Sequence, residues 1–261
     1  MKYFIFPDNF TNLKLFILIK EEFILLYNDD CIKIMKELKS NAIDMIFADP
    51  PYFLSNGGLT IKSGKIASVN KGEWDKKENY INTNKFTYDW LSECYRLLKT
   101  GGTIWISGTY HNIFEIHQNL QKIGYKIINI IIWHKTDPPP LIYKNKFKFS
   151  YEFIIWASKD KHSYFDYNKM FSFNNEEMHD VWNLPAVQLS EKKFGYHPTQ
   201  KPECLLERII LSCTKENDII LDPFMGSGTT CYIAKKLNRK FIGIEKDNTF
   251  YKISKARIES V

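Results

Sequence analysis

The tetrapeptide Asp49-Pro50-Pro51-Tyr52 brings together residue types that could hold an aromatic amine. Tandem prolines stiffen the backbone, so the Asp49 carboxylate and the Pro50 carbonyl are held as two fixed acceptors. An exocyclic amino group has two hydrogens and can donate one to each. Its lone pair then points toward an incoming electrophilic methyl. Tyr52 offers a flat face on which a base could stack. Such an arrangement is preorganisation for in-line attack. It needs no strong general base, because the amine can lose its proton after transfer. A base paired in a duplex would have to leave the stack to reach the pocket. A plain turn is the simpler account, since Pro-Pro is a common punctuator. Average residue usage, however, makes this tetrapeptide a roughly one-in-a-thousand coincidence in a chain this long. It also follows directly on the apolar run Ile43–Ala48, at the strand end where α/β sheets bind ligands.

A second string, Asp222-Pro223-Phe224-Met225-Gly226-Ser227-Gly228-Thr229, ends the run Ile219–Leu221. Gly226 and Gly228 permit positive φ and let a ligand approach the backbone. A helix starting near Thr229 would turn its N-terminal amides into the same crevice. The third glycine of a dinucleotide fingerprint is missing, and no Gly-Lys-Ser/Thr follows, so neither that site nor a P-loop is indicated. Glu245 ends the next apolar run, Phe241–Ile244, where an acid could accept hydrogen bonds from both hydroxyls of a ribose. An ordinary tight turn would use the glycines equally well, but not the two acids that flank them.

The elements that must position these strings are legible as apolar runs at Phe23–Tyr27, Ile43–Ala48, Thr103–Ser107, Ile127–Trp133, Phe153–Ala157, Ile219–Leu221 and Phe241–Ile244. Helical spacing of apolar residues marks Cys31–Leu38, Trp90–Leu98, Ile113–Ile123, Leu205–Cys213 and Thr229–Leu237. Glycines after the second and third of these are helix stops. Alternating strands and helices predict an α/β, doubly wound, mostly parallel sheet. Ile127–Trp133 and Phe153–Ala157 have no helix between them, only a loop stiffened by Asp137-Pro138-Pro139-Pro140, and should pair antiparallel at one edge. Residues 53–83 are rich in Gly, Ser, Asn and Lys and read as a mobile loop after the first string. Residues 159–196 show little period and read as an insertion with its own task. The whole chain, 1–261, reads as a single domain.

Composition fits that reading. The chain has 261 residues, 44% hydrophobic and 25% charged, enough for one large core. Asp8, Lys14, Lys20, Glu21 and Glu22 interrupt the apolar N-terminal stretch. No run there approaches the ~20 apolar residues of a membrane helix, and no small-residue cleavage site follows. A cytoplasmic protein without a membrane partner is expected. Five widely spaced cysteines form no CxxC pair and six histidines no HExxH, so neither a disulfide framework nor a metal site is indicated. The net charge of +6 permits nucleic-acid binding without demanding it. Lys144, Lys146 and Lys148 alternate with Tyr143, Phe147 and Phe149. This pattern suits phosphate contact plus base stacking, or equally an amphipathic edge strand.

With these motifs in place, the chain resembles the amino-methyltransferases of DNA, in the group whose catalytic motif precedes the cofactor motif. The resemblance runs from about Phe23 to Ile258. It implies a Rossmann-like, S-adenosylmethionine-dependent fold with a seven-stranded, mostly parallel sheet and one antiparallel strand. It makes Asp49, Pro50, Pro51 and Tyr52 the catalytic motif, in the Asp form more typical of adenine than of cytosine. The implied cofactor residues are Asp30 and Cys31 beside the adenine, Asp49, and Asp222, Phe224, Gly226, Ser227, Gly228 and Thr229 in the loop. Glu245 falls on the ribose. His197-Pro198-Thr199-Gln200-Lys201-Pro202 matches the segment at the methionine end, where Thr199 and Lys201 would lie near the cofactor's carboxylate. From the residues alone, this string is a loop and a helix start with Pro202 as first helical residue. The product would be S-adenosylhomocysteine.

The strings Ala48–Gly58, Lys71–Asp75, Trp105–Gly108 and His111–Ile113 are similar to those of GATC-specific adenine methyltransferases that accept single-stranded as well as duplex DNA. A GANTC-reading group shares several of them. Both groups carry Asn-Pro where this chain has Asp137-Pro138. The resemblance implies N6-adenine methylation in a restriction-modification system, with DNA as partner, and admits a cognate restriction endonuclease and a homodimer. Trp74 and Asp75 would lie near the DNA or base pocket, and Trp133 and Lys135 would close the strand bordering it. Base reading would fall to 159–196, through Asn168, Asn174, Asn175 or Gln188, with lysines on phosphate. Methylation of cytosine N4, methylation of RNA, and an inactive DNA-binding module are the alternatives.

Overall fold

A computed structural model describes residues 24–52, 59–62, 65–68, 80–138, 140–141, 145–160 and 162–261. The strands are β1 (Ile24–Tyr27), β2 (Ile43–Ala48), β3 (Leu59–Lys62), β4 (Lys65–Ser68), β5 (Leu98–Gly108), β6 (Lys126–Lys135), β7 (Tyr151–Ser158), β8 (Val181–Leu184), β9 (Ile219–Asp222) and β10 (Lys240–Ile244). The helices are α1 (Cys31–Glu37), α2 (Tyr80–Leu97), α3 (Ile113–Ile123), α4 (Tyr167–Asn174), α5 (Glu203–Cys213), α6 (Thr229–Lys236) and α7 (Asn248–Glu259). Every apolar run read as a strand is one, although Phe23 itself falls outside the described residues.

Eight strands form one sheet in the order β1-β10-β9-β2-β5-β7-β6-β8, one more than expected, and β3 and β4 form a separate hairpin. Among the described residues, β7 alone runs against the rest of the main sheet: it pairs antiparallel with β5 and with β6, while β6 and β8 are parallel. The expected antiparallel pair is therefore present but not at the edge, because β8 covers β6. β8 escaped the sequence reading because it is four residues long, with only Trp182 and Leu184 buried. Too few residues alternate there for a period to emerge. The segments read as irregular also carry structure: α4 and β8 lie within 159–196, and β3, β4 and the start of α2 lie within 53–83.

The central strands of the sheet, β2, β5, β9 and β10, are buried on both faces, as their continuous apolar runs require. One core joins α1, α2 and α3 to the sheet through Met35, Trp90, Leu91, Leu97 and Leu120. The other joins α5 and α6 through Leu205, Leu206, Ile209, Cys231 and Ile233. Trp105 and Trp156 are cross-strand partners on β5 and β7 and stack at 4.7 Å, a pair worth ~1 kcal/mol beyond its buried area. The helix ends are set locally. Asp30 caps α1 through Ile32 N and Lys33 N, Asp247 caps α7 through Thr249 N and Phe250 N, and Gly124 at φ 108° ends α3.

β2 and β9 are neighbours, with Met45 opposite Ile220 and Ile46 opposite Leu221. From β9 the chain moves to β10 on one side, and from β2 to β5 on the other. The strand order thus reverses between them, opening a crevice beyond their carboxyl ends. The two strings singled out by the sequence both leave the sheet at that crevice.

Candidate active site

A cleft of about 1050 Å³ occupies this crevice. That is slightly above the usual range for one small ligand, roughly 300–1,000 Å³, and leaves room for a nucleoside-sized cofactor and part of a second molecule. Asp30, Cys31, Asp49, Thr199, Lys201, Asp222, Phe224, Gly226, Ser227, Thr229 and Glu245 all line it. Pro51 does too, whereas Pro50, Tyr52 and Gly228 do not.

The loop between β9 and α6 is held open by its glycines. Gly226 has φ 54° and Gly228 φ 78°, the left-handed region that L side chains rarely adopt. A Cβ on Gly228 would stand 2.8 Å from Ser254 Cβ, and one on Gly226 would stand 3.1 Å from the His197 ring. Glu245 braces the loop, accepting from Gly226 N at 2.8 Å and from Asp247 N at 2.7 Å. Burial raises the Glu245 pKa. Asp222 accepts from Phe224 N at 3.0 Å, and burial pushes its carboxyl up to about 7, against hydrogen bonds from Thr230 and Phe224 that lower it. Asp30 spends one oxygen on capping α1, and its other oxygen receives Lys246 Nζ at 3.3 Å. Burial pushes the Cys31 thiol up to about 12, so it is a wall and not a nucleophile.

The opposite wall went unread in the sequence. Asn82, Thr83 and Phe86 line the cleft from α2, whose first turns lie where the composition suggested loop. Phe224 packs edge-on against Trp90 at 5.3 Å and Phe86 at 6.2 Å. His197 sits between Gly226 and Phe250, its ring 4.2 Å from the phenylalanine. Pro202 is the cap of α5, one residue before its first helical residue Glu203.

At the other end of the cleft, Asp49, Tyr52 and Lys201 form one network. Tyr52 donates its hydroxyl to Asp49 Oδ1 at 2.7 Å and lies 2.9 Å from Ser107 Oγ. Lys201 Nζ donates to Asp49 Oδ2 at 2.6 Å and sits 5.4 Å from the centre of the Tyr52 ring. The ring is only 5% exposed, so in this conformation it is packed under the site and not presented as a stacking face. Burial opposes the charge on Lys201, but Asp49 and Glu152 outweigh it, and its pKa is raised. Burial, reinforced by the Asp49 and Glu152 charges, holds the Tyr52 hydroxyl well above its usual range. Lys201, expected near a cofactor carboxylate, is paired here with the Asp49 carboxylate.

Glu152, the second residue of β7, is a further residue the sequence reading missed. Its Oε1 takes Lys135 Nζ at 2.5 Å and its Oε2 lies 3.2 Å from the Tyr52 hydroxyl. One signal was available: a charged residue heads an otherwise apolar strand. Trp133 is buried, with Nε1 donating to Leu184 O, and serves packing. Asp137 accepts from Ala186 N at 2.7 Å and so ties the end of β6 to the segment after β8. Asn168, Asn174, Asn175 and Gln188 are all exposed. Trp74, Asp75, Tyr143 and Lys144 lie outside the described residues. Among the described residues, no group of three or more His, Cys, Asp or Glu could hold a metal ion, and no helix is long and apolar enough to cross a membrane.

Residues 43–256 match the N6/N4 DNA methylase family. The chain is 51% identical over 241 residues to the Type II methyltransferase M2.MboI of Moraxella bovis, covering 90% of this chain and 88% of that protein. It is 46% identical over 240 residues to M2.DpnII of Streptococcus pneumoniae, covering 90% of each. Among solved structures, the M1.HpyAVI complex with S-adenosylmethionine is 30% identical with a TM-score of 0.68, over 90% of this chain and 98% of that one. The PvuII cytosine-N4 DNA methyltransferase shares the fold alone, at 18% identity and a TM-score of 0.72, over 89% of this chain and 85% of that one.

Proposed function

The chain belongs to the N6/N4 family of S-adenosylmethionine-dependent DNA methylases, and from that premise we propose that it methylates N6 of adenine within GATC, on duplex and single-stranded DNA. The observation that carries this reading is the convergence of Asp49 and the Asp222–Thr229 loop on one cleft from neighbouring strands. The Asp form of the tetrapeptide and the strings around Ala48–Gly58 favour adenine in GATC.

The donor set in the cleft fits the cofactor. Glu245 would take the ribose hydroxyls, Asp30 and Cys31 would flank the adenine, and the backbone of Gly226–Thr229 would lie along the nucleoside. Thr199 would face the carboxylate, while Lys201 is held by Asp49 at 2.6 Å. The cofactor, when bound, supplies an electrophilic methyl group on a sulfonium. The protein's own residues hold the acceptor. Asp49 Oδ and the Pro50 carbonyl accept the two hydrogens of the target amine, which fixes its lone pair on the line of attack. Held there, the nitrogen would receive the methyl group that the cofactor supplies, with the sulfonium sulfur as the leaving group. The charge that develops on nitrogen is stabilised by the same two acceptors, and the proton is then lost to solvent. The base must be extruded to reach this point.

Residues 159–196, carrying α4 and β8, would read the sequence, with Lys146 and Lys148 on phosphate. The same reading pairs the enzyme with a restriction endonuclease of matching specificity and places it in the cytoplasm with the DNA it protects. Mass spectrometry of nucleosides from unmethylated DNA, treated with enzyme and cofactor, tests the reaction. N6-methyldeoxyadenosine confined to GATC is expected on both single and double strands. N4-methyldeoxycytidine would replace the base, and no modified nucleoside would reject the proposal.

A further inference from the structure

The network under Asp49 contains one acid more than the transfer needs. Glu152 is 12% exposed at its side chain, and Lys135 already neutralises it through Oε1. Its second oxygen, Oε2, faces three further groups: the Tyr52 hydroxyl at 3.2 Å, Ser107 Oγ at 3.4 Å and Lys201 Nζ at 3.6 Å. Two of these are the groups that occupy Asp49, Tyr52 on Oδ1 at 2.7 Å and Lys201 on Oδ2 at 2.6 Å. With each oxygen already holding one donor and the charge neutralised by a buried ammonium, Asp49 is a weaker acceptor for an incoming amine than an unpaired carboxylate would be. Glu152 is a ready alternative. Lys201 stands 1.0 Å farther from it than from Asp49, the difference between 3.6 and 2.6 Å. Two acids and two lysines keep the cluster neutral as a whole, and Asp49, left without its ammonium when Lys201 sits against Glu152, gains the incoming amine as its donor.

We propose that Glu152 is a positioning residue that takes the Tyr52 hydroxyl and Lys201 from Asp49 as the amine arrives, freeing Asp49 to accept its hydrogen. This rests on the amine-methylation reading above. The role differs from a static ion pair in what it predicts. A static Glu152–Lys135 pair would affect folding and leave transfer alone. A handover affects transfer and leaves cofactor binding alone.

The test is single-turnover methyl transfer from labelled S-adenosylmethionine to GATC-containing DNA by the full chain, with cofactor Kd and Tm measured on the same samples. Glu152→Gln keeps the shape and removes the charge that attracts Lys201. It should slow transfer by about 10- to 100-fold, the range for losing a charged hydrogen bond. Cofactor Kd should change by less than about threefold. Glu152→Asp should recover part of the rate. Tyr52→Phe should cost less in the Glu152→Gln background than in wild type, because both changes interrupt the same handover. A Glu152→Gln rate within about threefold of wild type, slowing matched by lost cofactor affinity, or additive effects of the two changes would each overturn the proposal. Should Glu152→Gln fail to fold, Ser107→Ala removes the hydroxyl lying between Tyr52 and Glu152. Severalfold slower transfer at unchanged cofactor Kd supports the handover, and an unchanged rate overturns it. Wild-type transfer in the same assay separates the two layers. If wild type leaves DNA unmethylated, the amine-methylation reading falls and this role with it. If wild type transfers and the variants do too, Glu152's role alone falls.

Discussion

Replacing Asp222 by Asn should make the cofactor-free protein gain stability, relative to wild type, as the pH rises. Asp222 is 3% exposed. Burial raises its carboxyl from 3.8 to about 7, with Asp49 and Glu245 adding to the rise and the bonds from Thr230 and Phe224 N limiting it. Between these two values the folded chain holds a proton that the unfolded chain has released, so wild-type stability falls with pH at about 1.4 kcal/mol per unit. The stability is fully present below the unfolded value and lost as the pH passes through the folded one. From pH 5 to pH 7 the loss is about 2.3 kcal/mol, because the carboxyl is half-titrated at the folded value, and only about 0.4 kcal/mol more is lost above. Asn keeps the shape, and its oxygen can still accept from Phe224 N, but it does not titrate. The difference in Tm between variant and wild type should therefore widen by about 5–10 °C from pH 5 to pH 8 for a chain of this size. Differential scanning calorimetry across that range reads it. A difference that stays flat would show that Asp222 is not held protonated by burial, and would refute the reasoning.

Further outcomes follow from other parts of the structure. Gly228→Ala, with φ at 78° and its new Cβ 2.8 Å from Ser254, should cost about 2–4 kcal/mol through backbone strain and overpacking; calorimetry should show the loss and titration calorimetry a weaker cofactor. Asp49→Ala should abolish transfer while cofactor Kd moves by less than about tenfold, and retained activity would remove Asp49 from the mechanism. Arg257, 2% exposed and bonded to Thr229 and Glu203, should cost about 2–4 kcal/mol on change to Met, read as a lower denaturant midpoint. Asp137→Ala loses the bond to Ala186 N and should raise the KM for DNA without changing cofactor Kd, at about 1 kcal/mol of stability. Lys146→Ala and Lys148→Ala together should lower the slope of log K for DNA against log salt by about 1 to 2.

Strong periodicity explains which elements were legible. α3 was read at its observed ends, Ile113–Ile123, because a clear apolar face ends at a glycine able to take the left-handed C-cap. The buried strands stood out as continuous β-branched runs. α4 did not, since Tyr167–Asn174 buries only Met170 and its exposed aromatics blur any face. The start of α2 was hidden because its composition is that of a loop, and of its first turns Phe86 packs against the core while Asn82 and Thr83 line the cleft. β8 exists because β6 offered an edge to pair with, which four residues cannot announce by themselves.

The sequence by itself marked two points as candidates for chemistry, because stiff prolines beside an acid, and glycines beside an acid, are local properties of adjacent residues. It determined the parallel sheet as well, since side-chain period is a local signal. Only the tertiary structure decided that β2 and β9 lie side by side, and so that Asp49 and Asp222 open on one cleft. It also decided that Lys201 and Glu152, on α5's leading loop and on β7, converge on Asp49. Contacts between residues that far apart along the chain depend on strand order and register, which hydrophobic pattern leaves open, and on burial strong enough to force opposite charges together.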